Sequence, residues 1–282
     1  MEQHLKQLEE ESISLIREII TTVPLSDVWC FYSIGKDSTC LLRLIEKAFY
    51  PSKIGIKFLH IDTGYKFKEM YDFKKTISEK IDLVTYKNKK ELNPFVDSNY
   101  TDVMKTEALN EACKQYNIKV AFGGARREEE KSRAKERMVS VRNNYTWTPK
   151  TQNAEVNKLW NTFYDNEINL RVFPLSNWTE LDIWNYIKEE KLEIVPIYFT
   201  HKRNVIEKDG LLIPTETDEG ELKNVRFRTL GCYPLTAAIE SVANNLDDII
   251  NELELTKYSE RCGRLIDKDN NSMELKKTQG YF

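Results

Sequence analysis

Six consecutive residues, Ser33-Ile34-Gly35-Lys36-Asp37-Ser38, set two hydroxyls, a glycine, a lysine and a carboxylate between an apolar run and a helix-like run. A turn that opens a helix presents unpaired N–H groups and the positive end of the helix dipole, and both favour an anion. Gly35 would let backbone approach a phosphate closely, Ser33 and Ser38 add hydroxyl donors, and Lys36 adds charge. Asp37 is unwelcome beside a phosphate unless it caps the turn or helps to place Mg²⁺. An ordinary capped helix start fits the same residues, so the turn alone leaves both readings open.

A second group is Gly123-Gly124-Ala125-Arg126-Arg127. The segment 123–142 carries seven Arg and Lys against four Glu, in a chain whose net charge is −3. Mixed charges such as "REEEKSRAKER" usually form a solvated helix, which accounts for Glu128 to Glu130 and several of the lysines. The glycines ahead of them bring two guanidinium groups to the end of an apolar run, and paired planar donors suit tetrahedral oxyanions. Arg126 and Arg127 are therefore the leading candidates, followed by Arg226 and Arg228 in "VRFRTLGC".

The elements that must position these groups alternate. Residues 4–22 place Leu5, Leu8, Ser12, Leu15, Ile16, Ile19 and Ile20 at helical spacing and predict an amphipathic helix ending near Pro24. Apolar runs at 28–32, 56–61, 82–86, 118–124 and 170–175 predict strands, separated by helical stretches that include 102–116. After the last of them, Thr179 with Asp182 resembles a capping box ahead of an apolar stripe. This alternation predicts an α/β fold, a mostly parallel twisted sheet with helices on both faces, whose ligands bind beyond the carboxyl ends of the strands. The clusters at 33–38, 62–66 and 123–127 fall at those ends. From about 200 onward strand-like runs are few, and a loop-rich extension packed on the active edge is expected. The expected division is a nucleotide-binding unit at 1–200 and an extension at 201–282.

Composition narrows the function classes. Lys plus Arg total 42 against 45 Asp plus Glu, which argues against a general nucleic-acid coat. The acidic N-terminal stretch predicts no signal peptide, and no apolar run approaches a bilayer span. Five scattered cysteines and three separated histidines predict reduced thiols in a cytoplasmic protein and no zinc site.

"YSIGKDS" (32–38) resembles the SxGxDS pyrophosphate loop of the PP-loop family, with Ile34 where the broad family pattern has glycine. A narrower resemblance, to the small catalytic subunit of bacterial heterodimeric sulfate adenylyltransferases, runs through "LHIDTGYKFKEMYDF" (59–73), "TDVMKTEALNEA" (101–112), "AFGGARREEEKSRAKERMVSVR" (121–142), "RVFPLSNWTELDIWNYI" (171–187), "VRFRTLGCYPLTAAIES" (225–241) and "SERCGRLIDKDNNSMELKKTQGYF" (259–282). These segments cover nearly the whole chain in one register. Departures are Tyr233 where the family tends to Trp, Cys262 where Gln is usual and Asn271 where Gly is usual.

The resemblance implies transfer of AMP from ATP to sulfate, with Mg²⁺, giving adenosine 5′-phosphosulfate and pyrophosphate. It implies that Lys36, Ser33, Gly35, Asp37 and Ser38 hold the pyrophosphate, and that Asp62, Thr63 and Gly64 meet the adenosine. Asp62 also fits the cap of its own turn, and His60 fits a buried, hydrogen-bonded residue better than a catalytic base. No Walker-type loop is present, so the GTP hydrolysis that drives the reaction in this family would belong to a large partner subunit. The nearest rival is a phosphoadenylyl-sulfate reductase, whose thiol chemistry lacks a Cys-Gly-x-His tail here, because Cys262-Gly263 is followed by Arg264 and Leu265.

Overall fold

The computed structural model describes residues 2–129, 131–152, 155, 168–217 and 220–255. The tail segment 259–282, with Cys262, lies outside them.

Six strands form the main sheet: β1 (Val28–Phe31), β2 (Lys57–Asp62), β3 (Leu83–Lys87), β4 (Val120–Phe122), β5 (Val139–Arg142) and β6 (Asn169–Val172). Their order is β3-β2-β1-β4-β6-β5, parallel except for β5, which runs antiparallel to β6. β1 and β4 are buried throughout, as continuous apolar runs in a sheet covered on both faces should be. The helices are α1 (Gln3–Thr22), α2 (Lys36–Phe49), α3 (Lys68–Ser78), α4 (Ala108–Gln115), α5 (Lys131–Ala134), α6 (Glu180–Glu189) and α7 (Leu246–Leu255). A stretch of π-helix, Asp102–Glu107, leads into α4.

α1 buries the periodic residues Leu5, Leu8, Leu15, Ile16 and Ile19, and it packs on α2. Each such side chain contributes about 1.5–3 kcal/mol when fully buried. On α6 the capping box forms in full: the Asp182 amide donates to Thr179 Oγ1 at 3.1 Å, and the Thr179 amide donates to Asp182 Oδ2 at 2.8 Å.

Two features amend the sequence reading. Part of the charged segment 123–142 is a strand, β5, whose Val139 and Val141 are buried. Beyond residue 200, the loops frame a second, antiparallel sheet of β7 (His201–Lys208), β8 (Leu211–Pro214), β9 (Glu221–Arg226) and β10 (Ile239–Glu240), in the order β10-β9-β7-β8. Phe227, just after β9, packs on Phe67 at 4.6 Å between ring centroids, and Arg203 of β7 lies over both rings. No described helix is long and apolar enough to cross a membrane.

Candidate active site

The main sheet reverses its winding at β1, whose neighbours are β2 and β4. A crevice at such a switch point, beyond the carboxyl ends of the strands, is where open α/β sheets bind ligands. The Ser33–Ser38 turn leaves β1 there, and Gly123–Arg127 leaves β4 beside it.

The turn is shaped by its own hydroxyls. Ser38 Oγ and Thr39 Oγ1 donate to the Gly35 carbonyl at 2.9 and 3.1 Å, and Ser33 Oγ donates to Ser38 Oγ at 3.2 Å. The Lys36 amide donates to the Tyr198 hydroxyl at 2.8 Å. Helix geometry gives the next two amides, of Asp37 and Ser38, no internal partner.

Ile34, and not Gly35, takes the left-handed conformation, with φ of 71°. A β-branched residue there is strained by about 1–3 kcal/mol, and this position is glycine in the broad PP-loop pattern. The buried side chain explains why isoleucine is tolerated: Ile34 belongs to the main core cluster. Deleting a buried aliphatic side chain costs about 2–5 kcal/mol, which exceeds the strain. Ile34→Gly is therefore expected to lower stability by about 1–3 kcal/mol while keeping the turn's shape, as urea unfolding together with nucleotide binding would show.

Gly124 is required by close approach. A Cβ there would lie 3.3 Å from the Asp37 carbonyl carbon and 3.3 Å from the Ser38 amide nitrogen, both backbone atoms at the start of α2. Gly123 is tied to the sheet by its amide, which donates to the Val172 carbonyl at 2.8 Å.

The buried ammonium of Lys36 lies 3.3 Å from Asp37 Oδ2 and 3.5 Å from the Arg228 carbonyl. The fully buried guanidinium of Arg126 donates from Nε to Asp37 Oδ1 at 2.7 Å and from Nη1 to Glu128 Oε2 at 3.0 Å. Asp37 thus orients both cations at the head of α2. Glu128 also accepts from the Glu180 amide at the start of α6, at 2.6 Å, and Glu129 accepts from the Arg126 amide at 2.9 Å. These two glutamates are partners of the site, whereas the sequence reading left them on a solvated helix.

The other candidates divide between the cleft and its surroundings. Arg127 turns to Asn177 Oδ1 (2.6 Å), the Glu136 carbonyl and Glu155 (2.7 Å); like Lys36 and Arg126 it is not among the residues lining the cleft, but unlike them it makes no contact with Asp37. Arg226 is buried against Glu252 at 2.8 Å, where burial lowers its pKa despite that carboxylate. Arg228 pairs with Glu180 and meets Lys36 through its backbone. Asp62 accepts from the Gly64 amide at 2.9 Å and from the Tyr71 hydroxyl at 3.0 Å, closing its own turn with Gly64 at φ of 84°. Burial opposes ionisation of Asp62, but these donors and Lys74 hold its pKa below the usual value. Thr63 lines the cleft, with Oγ1 3.3 Å from Cys232 Sγ.

The cleft joins Ser33, Asp37, Ser38, Thr63 and Gly124 to an apolar wall of Phe31, Leu59, Ile61 and Leu109. Lys66, Lys105 and Arg133 also line it. Sequence reasoning had not singled out these three, because nothing in their spacing distinguishes them from surface cations. His60 is buried, with Nδ1 2.9 Å from the Tyr32 carbonyl. Burial first, and then the Lys66 charge, lower its pKa from 6.5 to about 4.

The unfolded chain therefore binds more protons than the folded one between pH 6.5 and about 4, so stability falls as pH is lowered through that window. Thermal melts of the wild type are expected to show this acid loss more steeply than melts of His60→Gln over the same range. Equal slopes would contradict the assignment.

No group of three or more potential metal ligands occurs among the described residues. The carboxylate in the turn, Asp37, has both oxygens engaged by Arg126 and Lys36.

Residues 27–238 match the phosphoadenosine phosphosulfate reductase domain family. The chain is 53% identical to sulfate adenylyltransferase subunit 2 of Aliivibrio fischeri (strain MJ11), over 99% of this chain and 98% of that one. To the protein of the same name from Vibrio parahaemolyticus it is 52% identical over the same shares. Among solved structures, Candida glabrata FMN adenylyltransferase in complex with FMN and the ATP analog AMPCPP matches with a TM-score of 0.55 at 15% identity, over 94% of this chain and 93% of that one. That likeness concerns the fold.

Proposed function

Since this chain belongs to the sulfate adenylyltransferase subunit 2 family, we propose that it transfers AMP from ATP to sulfate, giving adenosine 5′-phosphosulfate and pyrophosphate. The observation that carries this reading is the turn at the switch point. There, the head of α2 and two serine hydroxyls border a cleft whose apolar wall suits an adenine ring, and buried Lys36 and Arg126, which do not themselves line the cleft, meet on Asp37 at its edge.

In the forward reaction a sulfate oxygen attacks the α phosphorus in line. The bond from that phosphorus to the bridging oxygen of pyrophosphate breaks, and the electron pair leaves with pyrophosphate. Sulfate is already an anion, so no general base is needed. The task is to hold two anions together and to stabilise the charge that develops on the leaving group, which fixed donors and cations perform. Lys36 and the amides of Asp37 and Ser38 would receive the pyrophosphate, with Ser33, Gly35 and Ser38 shaping its seat. Arg126 is oriented by Asp37 for the same charge, and Gly123 and Gly124 let the β4 loop approach. Thr63 would face the nucleoside, while Asp62 and Gly64 hold its turn. Arg127, Arg226 and Arg228 support the walls through their glutamate partners. Mg²⁺ would arrive on the phosphates of ATP, with Asp37 the nearest carboxylate of the turn.

The relatives' name, subunit 2, supports a partner chain. In the proposal that partner is a large GTPase subunit, which drives an otherwise unfavourable reaction, and the extension 201–282 carries part of the contact. The complex would work in the cytoplasm. Incubating the chain with that subunit, ATP, GTP and sulfate should release pyrophosphate only when sulfate is present. Thioredoxin-dependent sulfite release from phosphoadenylyl sulfate would favour a reductase instead, a reading to which Cys232 in the cleft wall lends a thiol. Burial raises the thiol pKa of Cys30, Cys40 and Cys113, which makes them poor nucleophiles.

A further inference from the structure

We propose that Arg133 binds the acceptor oxyanion, sulfate; the assignment rests on the adenylyl transfer described above. Of the five arginines in the segment 123–142, Arg133 is the one that lines the cleft. Arg126 is held by Asp37 and Glu128, and Arg127 by Asn177, Glu136 and Glu155. Arg142 pairs with Glu136 at 3.4 Å. Arg133 is itself buried, in the short helix α5 that follows the loop whose Gly124 touches the first turn of α2, and it borders the same cleft as Ser33 and Ser38.

The other two cations of the lining suit a different part of the ligand. Lys105 shares a helical stretch with Leu109, beside the apolar wall, and Lys66 follows the Thr63-Gly64 turn. A lysine offers a point charge, whereas the planar fork of arginine matches two oxygens of a tetrahedral anion. A second observation points the same way. Arg142 is buried, its Nη1 has no hydrogen-bond partner among the described residues, and its pKa falls to about 10 through burial and then, despite Glu136, the nearby charges of Arg171 and Arg133. Neighbouring buried guanidiniums disfavour one another's charge and favour an anion set beside them.

Equilibrium dialysis of radiolabelled sulfate tests this, using the full chain with its partner subunit and α,β-methylene ATP, for the wild type, Arg133→Gln and Arg133→Lys. Affinity for the analogue is measured in parallel and reports folding. Arg133→Gln is expected to weaken sulfate binding by about tenfold or more, with nucleotide affinity held within about twofold. Arg133→Lys, which keeps the charge, should recover part of the loss, and it carries the same comparison should the glutamine variant not fold. Sulfate binding at the wild-type level in the glutamine variant, or an equal loss of nucleotide and sulfate, overturns the assignment. A wild-type complex that holds the analogue and takes up no sulfate overturns transfer to sulfate itself, and the role of Arg133 with it.

Discussion

Lys36→Ala is expected to lower sulfate-dependent pyrophosphate release by about two to three orders of magnitude, the range seen when one fixed donor to developing charge is removed. The ammonium sits at the head of α2, next to the amides that would receive the departing pyrophosphate, and charge builds there only as the α–β bond breaks. The loss should therefore fall on kcat, with a smaller change in the affinity for a non-cleavable ATP analogue. Asp37 keeps Arg126 as a partner at 2.7 Å, so little stability is expected to be lost. Steady-state kinetics with the partner subunit, set beside a melting curve, check both statements. Unchanged turnover would remove Lys36 from the site.

Arg126→Ala is expected to act on stability and activity together. Its guanidinium is fully buried and joins the α2 turn, through Asp37, to Glu128, which in turn receives the Glu180 amide of α6. Removing one partner of a buried ion pair costs about 3–5 kcal/mol. Asp37 and the half-exposed Glu128 can partly rehydrate, which places this site near the lower end of that range. The turn would lose its brace as well, and a small misplacement of reacting groups can cost about a hundredfold in rate. Arg126→Lys keeps the charge but cannot reach both carboxylates, so it should recover stability better than rate. A variant that melts like the wild type yet loses all turnover would contradict the bracing role.

Local signals made the site's frame legible in the sequence. Residues 33–38 stand between a buried run and an amphipathic helix, so the loop at a strand end follows from neighbours in the chain, and Gly123-Gly124 repeats that pattern at β4. Arginine partners are not local. Arg127, Arg226 and Arg228 find Glu155, Glu252 and Glu180, which are 28, 26 and 48 residues away, and no spacing rule points to them. From its charge alone Arg126 looks like a residue of little structural weight; its burial between Asp37 and Glu128 gives it a bracing role that no local signal announces. β5 was hidden by the charged stretch before it, although the alternation of Val139 and Val141 is a strand signal. The second sheet was hidden because β7 buries only Val205 and β9 only Val225 and Arg226, so charged residues dominate both strands.

The central claim is that the bend at Ser33–Ser38 seats the two outer phosphoryl groups of ATP while the innermost one is transferred. A crystal structure of the chain with its partner subunit, Mg²⁺ and α,β-methylene ATP tests it most directly. The account predicts the β and γ phosphates against the amides of Asp37 and Ser38, with the Lys36 ammonium beside them and the adenine on the Phe31–Leu59 wall. A triphosphate bound elsewhere, with that bend holding nothing, would contradict it.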